Sequence, residues 1–370
     1  MRKKCHYCDF HRSVNTEMKE EMIKAMVIEM DLKRSFLSGE IVDTIYFGGG
    51  TPSILSSNEI NHLINKVYEL FSVSDSPEIT LEANPDDITK DYIKNVKNYT
   101  KVNRLSIGIQ SFNNDDLSLM NRRHDSKKAK EAIELSLSGG FDNLSIDLIY
   151  GLPGMNVLDW KKNLEIAFQF PIKHLSAYHL TYEPDTVFYK KLQKGILKKP
   201  LENESITQFD LLHKIVEKHH FIPYEISNFA QEGFFSRHNT NYWMQKKYLG
   251  LGPSAHSYNL ISRHWNVADN QKYIRSVFER NKFFTSEELD CRTRFNEFII
   301  TRLRTIWGIN LKTILNEFGT VYFNHILQST EAFISQNKMT LKDDFLFLTR
   351  EGLLISDFIF SELMIDEDVK

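Results

Sequence analysis

Short β-rich runs alternate with helix-period runs through the first half of the chain, and this rhythm restricts the fold more than any other feature. The strand candidates are Thr44–Phe47, Glu78–Ala83, Arg104–Ile109, Leu144–Tyr150 and His174–Leu180. Amphipathic stretches at Asn58–Leu70, Thr89–Tyr99, Ser126–Ser138 and Leu158–Phe168 lie between them, with apolar residues three and four apart. Consecutive units of this kind make a parallel sheet, closed towards a barrel or doubly wound. A helical stretch, Glu17–Leu37, comes before the first strand candidate, so the strand that should open the first unit is expected to be absent or to lie upstream of Met1. The alternation stops after Pro223–Ser227, and a loop-rich segment with Gly250, Gly252 and Pro253 leads to a mostly helical tail. In that tail Lys338–Leu341 and Phe345–Leu348 flank Lys342-Asp343-Asp344, which predicts a hairpin before the apolar helix Leu353–Met364 and a small winged-helix-like unit. The expected divisions are 1–230, 231–285 and 286–370.

Composition narrows the function classes. The 370 residues are 41% hydrophobic and 26% charged, with no run of about 18 apolar residues, so a transmembrane span is not expected and peripheral membrane association is left open. A net charge of −3 supplies no general field for nucleic acid, and the lysines at 190, 191, 194, 198 and 199 lack interleaved aromatics, which reads as a solvated face. Three cysteines cannot make a disulfide framework. The chain is therefore read as cytoplasmic. Cys291 stands alone in the tail and is expected to be a buried small hydrophobe.

Two segments carry candidate chemistry. Cys5 and Cys8 are spaced so that both thiolates reach one metal centre from a short loop, although a lone Cys-x-x-Cys also fits zinc or a redox pair. Tyr46-Phe47-Gly48-Gly49-Gly50-Thr51-Pro52 ends a strand with three glycines, which lets backbone amides approach a small charged ligand. No Gly-Lys-Ser/Thr follows, so it is not a nucleotide-phosphate loop. Glu82, Gln110 and Asp147 fall within or at the ends of later strands, where barrels keep their sites.

Together Cys5-x-Tyr7-Cys8-Asp9-Phe10, Gly48-Gly49-Gly50-Thr51-Pro52, Ile109-Gln110-Ser111-Phe112 and Asp147-Leu148-Ile149-Tyr150-Gly151-Leu152-Pro153 resemble the radical S-adenosylmethionine (SAM) enzymes of the oxygen-independent coproporphyrinogen III oxidase superfamily. Leu348-Thr349-x-x-Gly352-x-Leu354-x-Ser356-Asp357 is similar to the C-terminal domain of that superfamily, so the resemblance covers nearly the whole chain. It implies an α/β fold, a partial (β/α)6 TIM-type radical SAM barrel with a smaller, mostly helical C-terminal domain. It also implies a [4Fe-4S] cluster on a Cys-x3-Cys-x2-Cys loop, with SAM on the open iron. Cys5 and Cys8 then match the second and third cluster ligands. Gly49, Gly50 and Thr51 match the loop that holds the methionine part of SAM. Glu82, Gln110, Arg122 and Asp147 match its polar contacts, and Ala177 matches a backbone position near the adenine.

This chain departs from the pattern at the first cluster ligand, where Met1 stands four residues before Cys5. A thioether is a weak, neutral substitute for a thiolate. Either the cysteine lies upstream with the missing strand, the expectation adopted here, or the cluster is lost and a pseudoenzyme remains. Phe10 occupies the position where the oxidases carry a further cysteine. Ser236-Arg237-His238-Asn239-Thr240-Asn241-Tyr242-Trp243 resembles the His-Asn-x-x-Tyr-Trp signature of the HemW-type haem chaperones within the same superfamily. A flat apolar macrocycle with a central iron wants aromatic surface and an imidazole, and His238, Tyr242 and Trp243 supply both. The resemblance thus implies a haem carrier that delivers to respiratory proteins and has no assigned catalytic residue, with the radical oxidase as the alternative. Trp243 and Tyr242 packing the barrel against the tail is the simpler structural reading of the same run.

Overall fold

The computed structural model describes residues 4–11, 13 and 16–366; Met1 lies outside them. Seven strands form one curled sheet: β1 (Val42–Phe47), β2 (Val73–Ala83), β3 (Arg104–Gln110), β4 (Leu144–Tyr150), β5 (His174–His179), β6 (Ile222–Pro223) and β7 (Asn228–Ala230), in the spatial order β1-β2-β3-β4-β5-β7-β6. The first five are parallel and joined by helices, as the alternation predicts. Among the described residues no strand precedes β1, and the last two positions of the sheet run antiparallel. The reason is connection length: only residues 224–227 separate β6 from β7, too few for the crossover that a parallel pair requires.

The helices between the strands begin where short polar side chains can hold orphan backbone amides. Ser56 and Glu59 form a reciprocal capping box at Ser57–Leu70, and Thr89, Asp125 and Asn156 each accept from the first turn of the helix that follows. Their apolar faces cover one side of the sheet, where Ile79, Leu81, Leu105, Ile107, Leu144, Ile146, Leu148, Leu175 and Ala177 form the main core.

The other side of the sheet is polar. Alternate residues of the same strands, Thr44 and Tyr46 of β1, Glu78, Thr80 and Glu82 of β2, Arg104 and Ser106 of β3, Ser145 and Asp147 of β4, and His174, Ser176 and Tyr178 of β5, point away from that core. Closed parallel barrels fill this volume with bulky aliphatic side chains. Here the curled sheet keeps a polar concave face instead.

The first helix, Lys19–Leu32, lies against the helix Asn270–Phe278 through Ala25, Tyr273, Ile274 and Val277. Within this contact the buried Glu29 carboxylate takes Lys33 at 2.8 Å, the Gly252 amide at 2.8 Å and the Asn266 amide at 2.7 Å, together with the Tyr273 hydroxyl. A small antiparallel sheet of β8 (His256–Tyr258), β9 (Ser262–Asn266) and β10 (Phe284–Glu288) follows. The tail packs helices around Phe295, Ile299, Ile314, Ile326, Leu346 and Ile359, beside a three-stranded sheet of β11 (Ile309–Asn310), β12 (Met339–Lys342) and β13 (Phe345–Leu348). Its β12–β13 hairpin turns through Asp343 and Asp344, both with positive φ, as a two-residue turn matched to strand twist demands. Cys291 corrects an expectation. It is exposed on the first turn of the helix Cys291–Leu303, whose inward face is set by Phe295, Phe298 and Ile299 instead. Among the described residues no helix is long and apolar enough to cross a membrane.

Candidate functional site

The glycine loop leaves β1 directly beneath the end of β2. A Cβ on Gly48 would stand 2.5 Å from the Tyr46 ring and 3.0 Å from Glu82 Oε1, so only glycine lets the chain turn there. Gly49 takes φ +92°, and a Cβ on Gly49 or Gly50 would meet open space, which leaves the backbone of this loop free to receive a ligand. Pro52 starts a short 3-10 turn, and Thr51 is tied to the end of β2 by a 3.2 Å bond from Asn84 Nδ2.

Around this loop the ends of the strands bring a set of polar groups together. The Tyr46 hydroxyl donates to Glu82 Oε1 at 2.6 Å. Burial pushes the Glu82 carboxyl up to about 7, with the Asp147 charge adding to it, against the hydrogen bonds from Tyr46 and the Gly49 amide. Burial also raises Asp147, although Ser176 and Ser106 donate to it, the latter at 3.2 Å, and Arg104 opposes the shift. A β-bulge at the end of β3 puts Gln110 at φ 70°. Arg122 reaches across with Nη2 on Asn84 Oδ1 and the Gly108 carbonyl, both at 2.7 Å, and with Nη1 on the Cys5 sulfur at 3.4 Å. Among the described residues its buried Nε has no partner.

The cysteine loop is pinned beside Arg122. The His6 amide donates to the Met120 carbonyl at 3.1 Å, the His6 carbonyl accepts from the Phe188 amide at 3.0 Å, and Asn121 Nδ2 donates to the Lys4 carbonyl at 2.7 Å. Cys5 is buried and hydrogen-bonded to Tyr7, whose hydroxyl burial pushes up; Cys8 is half-buried and Phe10 is 71% exposed. Gly49, Gly50, Thr51, Glu82 and Gln110 thus lie at the C-terminal ends of β1 to β3, Asp147 sits midway along β4, and Arg122 reaches in from the segment after the helix Asn114–Leu119 with Cys5 beside it. Ala177 differs: its side chain is in the main core and its amide already donates to the Ser227 carbonyl at 2.8 Å, so that amide is not free for a ligand.

The donor set suits the SAM that the resemblance implies. A sulfonium cation and ribose hydroxyls want carboxylates and amides, a carboxylate wants the guanidinium of Arg122, and the glycine loop is open. The cluster is less well served. Among the described residues no three Cys, His, Asp or Glu side chains gather as a metal site, so Cys5 and Cys8 supply two thiols of the three required.

The second candidate set lies on the helix Arg237–Trp243, which rests on the polar face near the start of β1. Both oxygens of Glu78 accept from the amides of Arg237 and His238 at 3.0 Å. The His238 ring stacks on Tyr46 with 4.6 Å between centroids, and its nitrogens bond Thr44 Oγ1 at 2.9 Å and the Tyr242 hydroxyl at 3.1 Å. Burial, with Arg104 adding to it, lowers its pKa to about 4, so the imidazole is neutral. Trp243 is not brought to this group. It carries the Arg304 guanidinium over its ring at 4.2 Å and so joins the barrel to the tail, as the packing reading expects. Arg104, Ser106 and Ser176 belong to these sites and were not marked by the motifs, and Tyr46 was marked only as part of the glycine-loop segment; their signal is the polar-apolar alternation within strands that should otherwise be apolar on both faces, while Asn84, just past β2, carries none.

A sequence model of the radical SAM superfamily matches residues 2–167, and one of the HemN C-terminal domain matches residues 289–355. The curated protein of Bacillus subtilis (strain 168) named Heme chaperone HemW is 30% identical over 363 residues, 97% of this chain and 96% of that protein. The protein of the same name from Lactococcus lactis subsp. lactis (strain IL1403) is 30% identical over 98% of this chain and 94% of its own length. Among solved structures, the coproporphyrinogen III oxidase HemN of Escherichia coli superposes with a TM-score of 0.84 at 20% identity, covering 98% of this chain and 88% of that one, which is a likeness of fold.

Proposed function

This chain belongs to the HemW family of radical SAM proteins, and we propose that it is a haem chaperone that binds haem and passes it to respiratory proteins in the cytoplasm or at the membrane surface. One observation carries the reading: similarity to proteins named haem chaperones runs over 97% of the chain, through barrel, His238 segment and tail alike. The placing of His238 supports it. A histidine on a short helix over the polar face, flanked by the rings of Tyr46 and Tyr242, puts an imidazole and aromatic surface in one place, and its Nε2 becomes an axial nitrogen on giving up the 3.1 Å bond to the Tyr242 hydroxyl.

SAM is held at the glycine loop in this reading, with Gly49 and Gly50 along its methionine part, Arg122 at its carboxylate, and Glu82, Gln110 and Asp147 at its remaining polar groups. A [4Fe-4S] cluster with SAM supplies one-electron chemistry when bound, and Cys5 and Cys8 are its ligands in this chain. The residues themselves do something simpler. Arg122 donates to the Cys5 sulfur and fixes its place beside the loop, and Tyr46 ties the SAM-facing carboxyl of Glu82 to the helix that carries His238.

Product analysis tests the assignment. Incubated anaerobically with coproporphyrinogen III, SAM and a reductant, the protein is expected to leave the substrate unchanged while haem added separately is retained through gel filtration. Accumulation of protoporphyrinogen IX over many turnovers would replace the chaperone with an oxidase.

A further inference from the structure

The polar face holds a charged group with no counter-charge beside it. Arg104 opens β3 and is 2% exposed, yet among the described residues its Nε has no hydrogen-bond partner and no carboxylate lies within 4 Å of its guanidinium. Lys33, similarly buried, shows the usual solution, with Glu29 at 2.8 Å. A guanidinium cannot escape burial by losing its proton, so it stays cationic in the lumen. Its register partner on β2, Thr80, also leaves Oγ1 buried and unpaired, and Asn228 Oδ1 across the sheet does the same. Among the described residues the Arg104 guanidinium thus has Glu82 and Asp147 only at longer range, with no carboxylate in contact and unpaired polar atoms beside it.

We propose that Arg104 receives a ligand carboxylate, and that this is a propionate of the bound tetrapyrrole. The proposal rests on the haem-chaperone reading above. Arg104 shares the polar face with Glu82 and Asp147, on which the His238 helix rests, and it acts electrostatically on all three groups. The carboxylate of SAM has a separate partner in Arg122, which bonds the Gly108 carbonyl four residues further along β3, about 13 Å from Arg104 at strand rise. A carboxylate on Arg104 can be held by two parallel N–H donors, which fixes the macrocycle in orientation as well as in place.

Haem and its dimethyl ester separate the possibilities, titrated into the full chain by absorbance. The wild type should prefer haem over the ester by roughly tenfold or more, the range for a charge-assisted hydrogen bond. Arg104→Met should bind haem only as well as the ester, and Arg104→Lys should keep part of the preference, each variant checked for folding by circular dichroism. Equal affinity of the wild type for haem and ester, an arm that needs no variant, would overturn the role of Arg104 and leave haem binding standing. An undiminished preference in a folded Arg104→Met would do the same. Absence of any haem binding by the wild type would overturn both this proposal and the chaperone reading.

Discussion

The imidazole of His238 lies flat on the ring of Tyr46, 17° between planes, and the hydroxyl of that ring donates to Glu82. One side chain thus touches both the proposed haem segment and the proposed SAM site. Tyr46→Phe keeps the stacking surface and removes the bond that holds the Glu82 carboxyl down. Glu82 should then carry less charge near neutral pH, and SAM affinity at about pH 7 should fall severalfold and recover towards pH 9. Equilibrium dialysis at the two pH values decides this, and unchanged affinity at pH 7 would refute it.

Glu82 also sets a pH dependence of stability. Its pKa is raised to about 7 from the ordinary 4.5, so the folded chain binds its proton more tightly than the unfolded chain does. That contribution is fully present below about pH 4.5 and is lost as pH rises through 7. Between pH 5 and 8 the urea stability of the wild type should fall by about 2 kcal/mol more than that of Glu82→Gln. Parallel pH profiles for the two proteins would contradict the assignment.

Glu78 anchors the start of the His238 helix through two backbone amides, and its own backbone lies in β2. Glu78→Ala leaves both amides without their acceptor and should cost about 2 kcal/mol. Haem affinity should drop with it, while SAM affinity holds. A loss of both together would mean that the helix and the glycine loop do not depend on Glu78 separately.

The strands and helices of the first half were legible because each parallel strand is flanked by a helix with its own cap and an apolar stripe. The glycine loop and the strand-end residues Glu82, Gln110 and Asp147 were legible as motifs. Asn84 and Arg104 were not: their roles depend on parallel register, Arg104 opposite Thr80, and on the distant Arg122 folding back onto Asn84. Cys291 misled because a lone cysteine in an apolar tail says nothing about which side of its helix it occupies. Trp243 shares a motif with His238 but lies five residues along the helix, and that angular offset turns it to the tail.

Thiol supply gives a further test. A polypeptide of this sequence has Cys5 and Cys8 at the loop and Cys291 on a distant exposed helix end. After anaerobic reconstitution and gel filtration it should retain well under four irons per chain, and Met1→Cys within an upstream extension should raise iron and sulfide together. Full loading without that cysteine would show that another ligand completes the cluster.

Haem carriage is tested most directly by absorbance titration of the wild-type chain and His238→Ala with haem. Saturation near one haem per chain is expected, with a shifted Soret band in the wild type that is altered in His238→Ala. A titration that never saturates, showing only the spectrum of free haem, would contradict haem carriage outright.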